Sequence, residues 1–308
     1  MALFKKKTAP EAQEPMNLDD VMKKFDRESN VRVWEGKPKM VVTVILALFS
    51  VFCIYVTLFA TWLDEIRLTS FMSYITFIGF LVFPAKKGVQ KVNHLPWYDI
   101  ILMLAGSGAF LYYTINASEI VERFKITPVE VVIGVIGIIC LAELCRRSVG
   151  LPILIVAGVL LVYALIWGST NPSFIARITE YVRVLFYSKE GVLSTPVNVC
   201  SKYIAMFIIF GAFLERTGIA DFFINIANAL VGRFSGGPAK VAVVASALEG
   251  MVSGSSVANT VGSGAVTIPL MKRTGYKPEF AAAAEASAST GGQIMPPIMG
   301  AAAFLMAE

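Results

Sequence analysis

Charge, histidine and paired cysteine are all scarce in this chain of 308 residues. Only 16% of its residues are charged, against about 25% in ordinary soluble domains, while 56% are hydrophobic. With a mean hydropathy of +0.67, a soluble globule is excluded. The single histidine, His94, lies in a loop, and no HExxH or comparable ligand set accompanies it, so a histidine-built metal site is excluded. Cys53, Cys140, Cys145 and Cys200 form no CxxC pair and sit in or beside apolar runs, which is how small packing residues behave. No GxxxxGK[ST] loop is present to cradle a nucleotide. A cleavable signal peptide is not expected either, because the first apolar run starts only at Met40 and exceeds an h-region in length.

What the chain has in abundance is long uncharged runs: Met40 to Leu63, Leu68 to Ala85, Ile100 to Ser118 and Ser148 to Ala176. At about 1.5 Å per helical residue, roughly 20 residues cross a hydrocarbon core of about 30 Å. The composition therefore reads as an all-α polytopic membrane protein in contact with the lipid bilayer. Barrel strands, which alternate polar and apolar residues in segments of about 10, do not fit. The net charge of +5 comes from short loops, a topology signal rather than a nucleic-acid footprint.

The organisation follows from these runs. Residues 1–39 form a polar tail with a lysine run at Lys5 to Lys7 and a short amphipathic stretch from Leu18 to Phe25. Residues 40–147 hold four spans, the fourth from about Pro128 to Cys145. Lys86, Lys87 and Lys91 follow the second span, and Arg146 and Arg147 the fourth. The positive-inside bias then puts the amino terminus and both loops in the cytoplasm. Glu130 and Glu143, near the ends of the fourth span, are expected to reach the interface. Residues 148–236 supply a fifth span (Leu151 to Gly168), an interfacial amphipathic helix carrying Arg177, Arg183 and Lys189, a sixth helix from about Thr195 to Leu214, and a short apolar segment, Ile219 to Val231.

Chemistry concentrates in residues 237–308. Gly250 to Met271 is uncharged and long enough to span. It also carries Gly254, Gly262, Gly264 and Pro269 among Ser253, Ser255, Ser256, Asn259, Thr260 and Ser263. Irregular backbone survives at bilayer depth only where protein or water covers it, so a re-entrant helical hairpin with its tip near Ser253 to Asn259 is expected. A second break falls at TGGQIMPP (Thr290 to Pro297), where Gly291 and Gly292 loosen the chain and Pro296 and Pro297 remove two donors. Two such breaks at one depth present helix amino ends to an anion and free carbonyls and hydroxyls to a small cation such as sodium. The competing reading is close packing of small residues and a simple kink. Glu249 and Glu285 flank the breaks, either as proton or cation carboxylates, or as acids at the water-facing edge of a helix or paired with Lys240 or Lys272.

The segment from Gly236 to Glu308, together with AELCRRSVGLPI, FIIFGAFLERTG and the tail ending in DRESNVRVWEGK, resembles the fused permease of tripartite ATP-independent periplasmic (TRAP) transporters of the TAXI type. That resemblance implies a small-subunit-like four-helix region fused to an elevator-type transport part in the bacterial inner membrane. It implies symport with sodium as coupling ion and uptake of small organic acids as anions. It also implies a periplasmic TAXI-type substrate-binding protein as partner, no other cofactor and no enzymatic activity. SGSSVAN then matches the first hairpin and TGGQIMPP the broken helix facing it, so that Ser253, Gly254, Ser255, Ser256 and Asn259 oppose Thr290, Gly291, Gly292, Gln293 and Pro296. The family's second, inverted half is not reached by Glu308, and the chain is read as a fragment of the amino-terminal half. Other classes weighed are an integral-membrane hydrolase using a hairpin serine, a channel and a structural membrane subunit.

Overall fold

The computed structural model describes residues 31–85, 92–123, 125–168 and 173–307. The lysine run, the Leu18 to Phe25 stretch and the loop carrying Lys86, Lys87 and Lys91 lie outside them. The described residues are helical, with no strand among them.

Helix α1 (Lys37–Leu58) opens with a proline in its first turn and stops five residues short of the end of its apolar run. The next helix, α2 (Asp64–Val82), begins earlier than hydropathy indicates. Asp64 and Glu65 occupy its first turn, where carboxylates meet the positive end of the helix dipole. Helices α3 (Trp97–Glu122) and α4 (Pro128–Ser148) follow. Thr127 caps α4 through a reciprocal box: its hydroxyl accepts from the Glu130 backbone amide at 3.4 Å, and the Glu130 carboxylate accepts from the Thr127 amide at 2.5 Å. Glu130 is thus buried, not directed to an interface as the sequence suggested, because the Thr127 amide and Arg123, at 3.6 Å, meet its carboxylate.

Helix α5 (Leu151–Trp167) is apolar on every side and buries no residue against the chain. Its terminal carbonyls are taken up by α6 (Phe174–Tyr187): the Tyr181 hydroxyl donates to Ala164 O at 2.7 Å and Arg177 to Ile166 O at 3.2 Å. The amphipathic α6 does not merely lie along an interface. Val182, Phe186 and Tyr187 are buried, and Phe186 enters the groove left by two glycines of α4; a Cβ on Gly137 would stand 2.3 Å from its ring. With Leu68, Phe110 and Tyr113 these residues make the first core.

Helix α7 (Thr195–Val199) passes through a π-helical turn, Cys200–Ile204, into α8 (Ala205–Arg216). Gly218, at φ 77°, starts α9 (Ile219–Val231). The remainder is α10 (Gly237–Ser253), α11 (Ser256–Arg273), α12 (Pro278–Gly292) and α13 (Ala301–Ala307). Small residues make this second region close-packed: Ala227, Val241 and Ala245 form one buried cluster, Ala242, Met271 and Ala281 another. Among the described residues, five stretches are long and apolar enough to cross a membrane: α1, α2, α3, α4 and Thr195–Leu214. The protein is a helical membrane protein.

One feature escaped the sequence reading. Asp99, fully buried at the start of α3, is bonded by Arg32 from the amino-terminal segment and by Arg147 from α4 at 2.7 Å. Arg147 also bonds Glu143 at 2.8 Å and covers the Phe80 ring at 4.9 Å. Arg146 also holds Glu143 at 2.7 Å from the more exposed side, so each buried charge of the cluster faces an opposite one, which buried ions require.

Candidate functional site

Helices α10, α11 and α12 pack against one another. The first two form the expected helical hairpin, with its tip at Gly254 and Ser255. Gly254 takes φ 61°, a left-handed conformation that suits glycine, and Ser255 caps α11 by accepting from the Ala258 amide at 3.3 Å. Gly262, Gly264 and Pro269 do not interrupt the second arm, which is continuous through them. The second break also differs in detail. Gly291 and Gly292 remain helical and close α12, so the irregular backbone is residues 293–300.

That segment folds back onto the hairpin tip. Ile298 N donates to Met251 O at 3.1 Å, Gly300 N to Gln293 O at 2.7 Å, and Gln293 Nε2 to Ser256 Oγ at 3.0 Å. A Cβ on Gly254 would meet the carbonyl oxygens of Ile298 and Met299 at 3.0 and 3.1 Å. One turn deeper the backbones of α10 and α12 touch: a Cβ on Gly250 would fall 2.3 Å from Gly292 Cα, and one on Gly292 would fall 2.8 Å from Asn259 Nδ2. Asn259 is fully buried and its amide donates to Ser246 O at 2.7 Å, while its Oδ1 has no hydrogen-bond partner. A buried oxygen left unpaired is costly unless a ligand or water meets it.

The residues singled out from sequence therefore divide. Ser256 with Gln293, Asn259 with Gly292, and Gly254 with the 298–299 carbonyls are brought together across the two breaks. Ser253 and Ser255 are half-buried and bond within the tip itself. Thr290, Gly291 and Pro296 are exposed and point away: the Thr290 hydroxyl donates to Ala286 O, and nothing stands within 4 Å of a Cβ on Gly291. Glu249 is half-buried with its carboxylate over Gly262.

Glu285 is neither at a water edge nor paired with a lysine. It is fully buried, and its carboxylate accepts from Ser246 at 2.6 Å, from Ser263 at 2.5 Å, from Ser289 at 3.4 Å and from Thr267. Both hairpin arms and α12 thus meet at one carboxyl group. Ser246, Thr267 and Ser289 were not anticipated. Only the four-residue spacings Ser263/Thr267 and Glu285/Ser289 hint at them, since i and i+4 share a helix face. Among the described residues no group of three or more His, Cys, Asp or Glu is arranged to hold a metal ion. No histidine stands near Ser255 or Ser256 to serve as a general base.

Residues 136–308 match the family described as Tripartite ATP-independent periplasmic transporter, DctM component. The chain is 34% identical over 149 residues to the C4-dicarboxylate TRAP transporter large permease protein DctM of Vibrio cholerae, covering 48% of this chain and 30% of that one. It is 36% identical over 121 residues to the protein of the same name from Pseudomonas aeruginosa, covering 37% and 28%. It is also 25% identical over 225 residues to the isethionate TRAP transporter permease protein DctMQ of Oleidesulfovibrio alaskensis, covering 72% and 32%. The chain spans about a third or less of the length of these relatives. No solved structure matches. With more than half its length in the match, and with that match enclosing the hairpin, the broken segment and the Glu285 cluster, the chain belongs to the DctM component family of the tripartite ATP-independent periplasmic transporters, a family of transporters and not of enzymes.

Proposed function

We propose that the chain is the first part of a membrane permease that takes up small organic anions in symport with sodium, delivered by a periplasmic binding protein. The observation that carries this is the docking of the 293–300 segment on the hairpin tip beside a buried, unpartnered Asn259 Oδ1. Helix ends and free carbonyls meet there, and a hard cation takes oxygen ligands of this kind. Asn259 and Ser256 would offer oxygens to the ion, and Gln293 a neutral amide to the substrate. The hairpin is re-entrant in this reading, and the packed helices α10 to α12 move as one body in an elevator-type displacement against the rest.

Residues 40–147 serve as the small-subunit-like region, 148–236 as the connection and 237–308 as the start of the transport domain, in the inner membrane with the amino-terminal tail (1–39) cytoplasmic. Fusion of the two parts is supported by the DctMQ alignment, which is longer than the 136–308 match and so takes in residues upstream of it. The TAXI type, with its own class of binding protein, is proposed on the sequence resemblance alone. The relatives named for C4-dicarboxylates and isethionate make small acids the first substrates to try.

The test is uptake by the full-length permease reconstituted with its binding protein. Flux should follow an imposed sodium gradient and ignore ATP. Ser256→Ala should abolish it while membrane insertion stays normal. Undiminished uptake with choline in place of sodium refutes the coupling, and wild-type sodium dependence in Ser256→Ala removes Ser256 from the site.

A further inference from the structure

The hydroxyl cluster around Glu285 has two complete hydrogen-bonding arrangements, and they differ by one proton. In the first, Ser246 and Ser263 donate to Oε1 at 2.6 and 2.5 Å, and Thr267 donates to Oε2. An ionised carboxylate accepts and never donates, and these three bonds suit it. In the second, Ser263 donates to Asn259 O at 2.8 Å and Thr267 to Ser263 O at 2.9 Å, both backbone carbonyls one turn back. The freed Thr267 oxygen then accepts from a protonated Glu285. Ser246 can go on donating to Oε1 in the second arrangement, or turn to Ser263 at 3.0 Å once Ser263 donates to Asn259 O, and Ser289 at 3.3 Å can donate to Ser246 in either. No buried group is orphaned by the exchange, and an orphaned group is what usually makes a buried protonation change expensive.

We infer that Glu285 is a proton site of the transport region, gaining a proton from water as an O–H bond forms on its carboxyl and releasing it again, with Ser263 and Thr267 turning between carboxylate and backbone. The inference rests on the permease reading and adds a second ion, distinct from the one at the hairpin tip. A hard cation in the cluster is disfavoured by geometry. Such an ion needs its oxygens spread around it at about 2.3–2.6 Å each, whereas here the oxygens bond one another directly. Nor does a charged neighbour fix one state. On α10, Lys240 lies over the Phe234 ring at 5.7 Å and Glu249 over Gly262. On α11, Lys272 and Arg273 are exposed in the last turn, and on α12, Glu279 is exposed in the first.

Infrared difference spectroscopy of the chain in lipid nanodiscs, wild type against Glu285→Gln over a pH series, tests this without any transport. The expected result is one carboxylic C=O band, absent from the variant, that gives way to carboxylate bands as pH rises. Thr267→Val should keep the band and change its frequency, which identifies it even if Glu285→Gln fails to fold. A band absent at every pH, or unchanged at every pH, overturns the proposal. Uptake by the full-length permease separates the two claims. Loss of pH dependence in Glu285→Gln with sodium dependence kept is expected, and unchanged pH dependence in that variant overturns the proton site while leaving the permease reading intact. A titrating band in a permease that moves no anion fails the permease reading instead.

Discussion

Adding one methyl group at Gly250 should be among the most damaging small changes in this chain, and adding one at Gly291 among the least. A Cβ on Gly250 would stand 2.3 Å from Gly292 Cα and 3.0 Å from its carbonyl carbon and oxygen, whereas ordinary contact begins at 3.4 Å. Helices α10 and α12 must therefore separate by about 1 Å, and backbone cannot yield as a side-chain tip does. Overpacking of a tight core costs about 1–3 kcal/mol. The separation also pulls on Ser246, whose carbonyl accepts from Asn259 and whose hydroxyl bonds Glu285, so Gly250→Ala belongs at the upper end, about 2–3 kcal/mol. At Gly291, three residues away in α12 from Ala288, the same methyl enters open space. There, in a helical position, it should be neutral or stabilise by about 0.5–1 kcal/mol. Thermal unfolding of the two variants in identical nanodiscs, followed by loss of monodispersity, gives the comparison. Equal transitions for Gly250→Ala and wild type would show that α10 and α12 do not touch there. A Gly291→Ala variant as damaged as Gly250→Ala would show that helix flexibility, not contact, is what the glycines provide.

Asp99→Asn should destabilise by about 3–5 kcal/mol, because it leaves Arg32 and Arg147 in a buried cluster short of one negative charge. Glu119→Gln, which breaks an exposed pair with Arg123, should cost below about 1 kcal/mol in the same unfolding assay. For topology, a cysteine placed at position 90 in a cysteine-free chain should react with an impermeant reagent from the cytoplasmic face only, and periplasmic labelling would reverse the proposed orientation.

The spans were legible because apolar length is a property of single segments. Their ends were less so, since hydropathy does not register where a helix starts. Phe59 to Leu63 is apolar yet outside α1, and Asp64 and Glu65 are charged yet inside α2. The hairpin was legible from the density of glycine and serine around Gly254, and the second break from its two prolines. The Glu285 cluster was not, because Ser246, Ser263 and Ser289 sit on three different helices and acquire a common partner only when those helices pack. The Asp99 network was hidden for the same reason, its members being separated by 67 residues on one side and drawn from a polar segment that composition alone reads as tail. Gly291 and Gly292 illustrate the converse. Sequence treats them alike as a flexible pair, while packing makes one indispensable and leaves the other beside empty space.

The division of the interior into separate cores bears on the order of synthesis. Every member of the first core, from Leu68 to Leu193, precedes α7 in the chain, while the Ala227 and Met271 clusters are drawn wholly from α9 onward. Domains tend to fold as units, the earlier one first, as the chain emerges. Once Leu193 has cleared the ribosome and the insertion machinery, the aromatic cluster of Phe110, Tyr113 and Phe186 has all of its parts and can close. The glycine-rich hairpin, which has little apolar bulk of its own to hold it, is then made beside a finished wall of helices. A stall or deletion after residue 216 should accordingly leave a compact, protease-resistant amino-terminal piece in the membrane, whereas the same lesion before Phe186 should leave a less resistant one, held only by the Phe80 and Leu144 core and the Asp99 ion cluster.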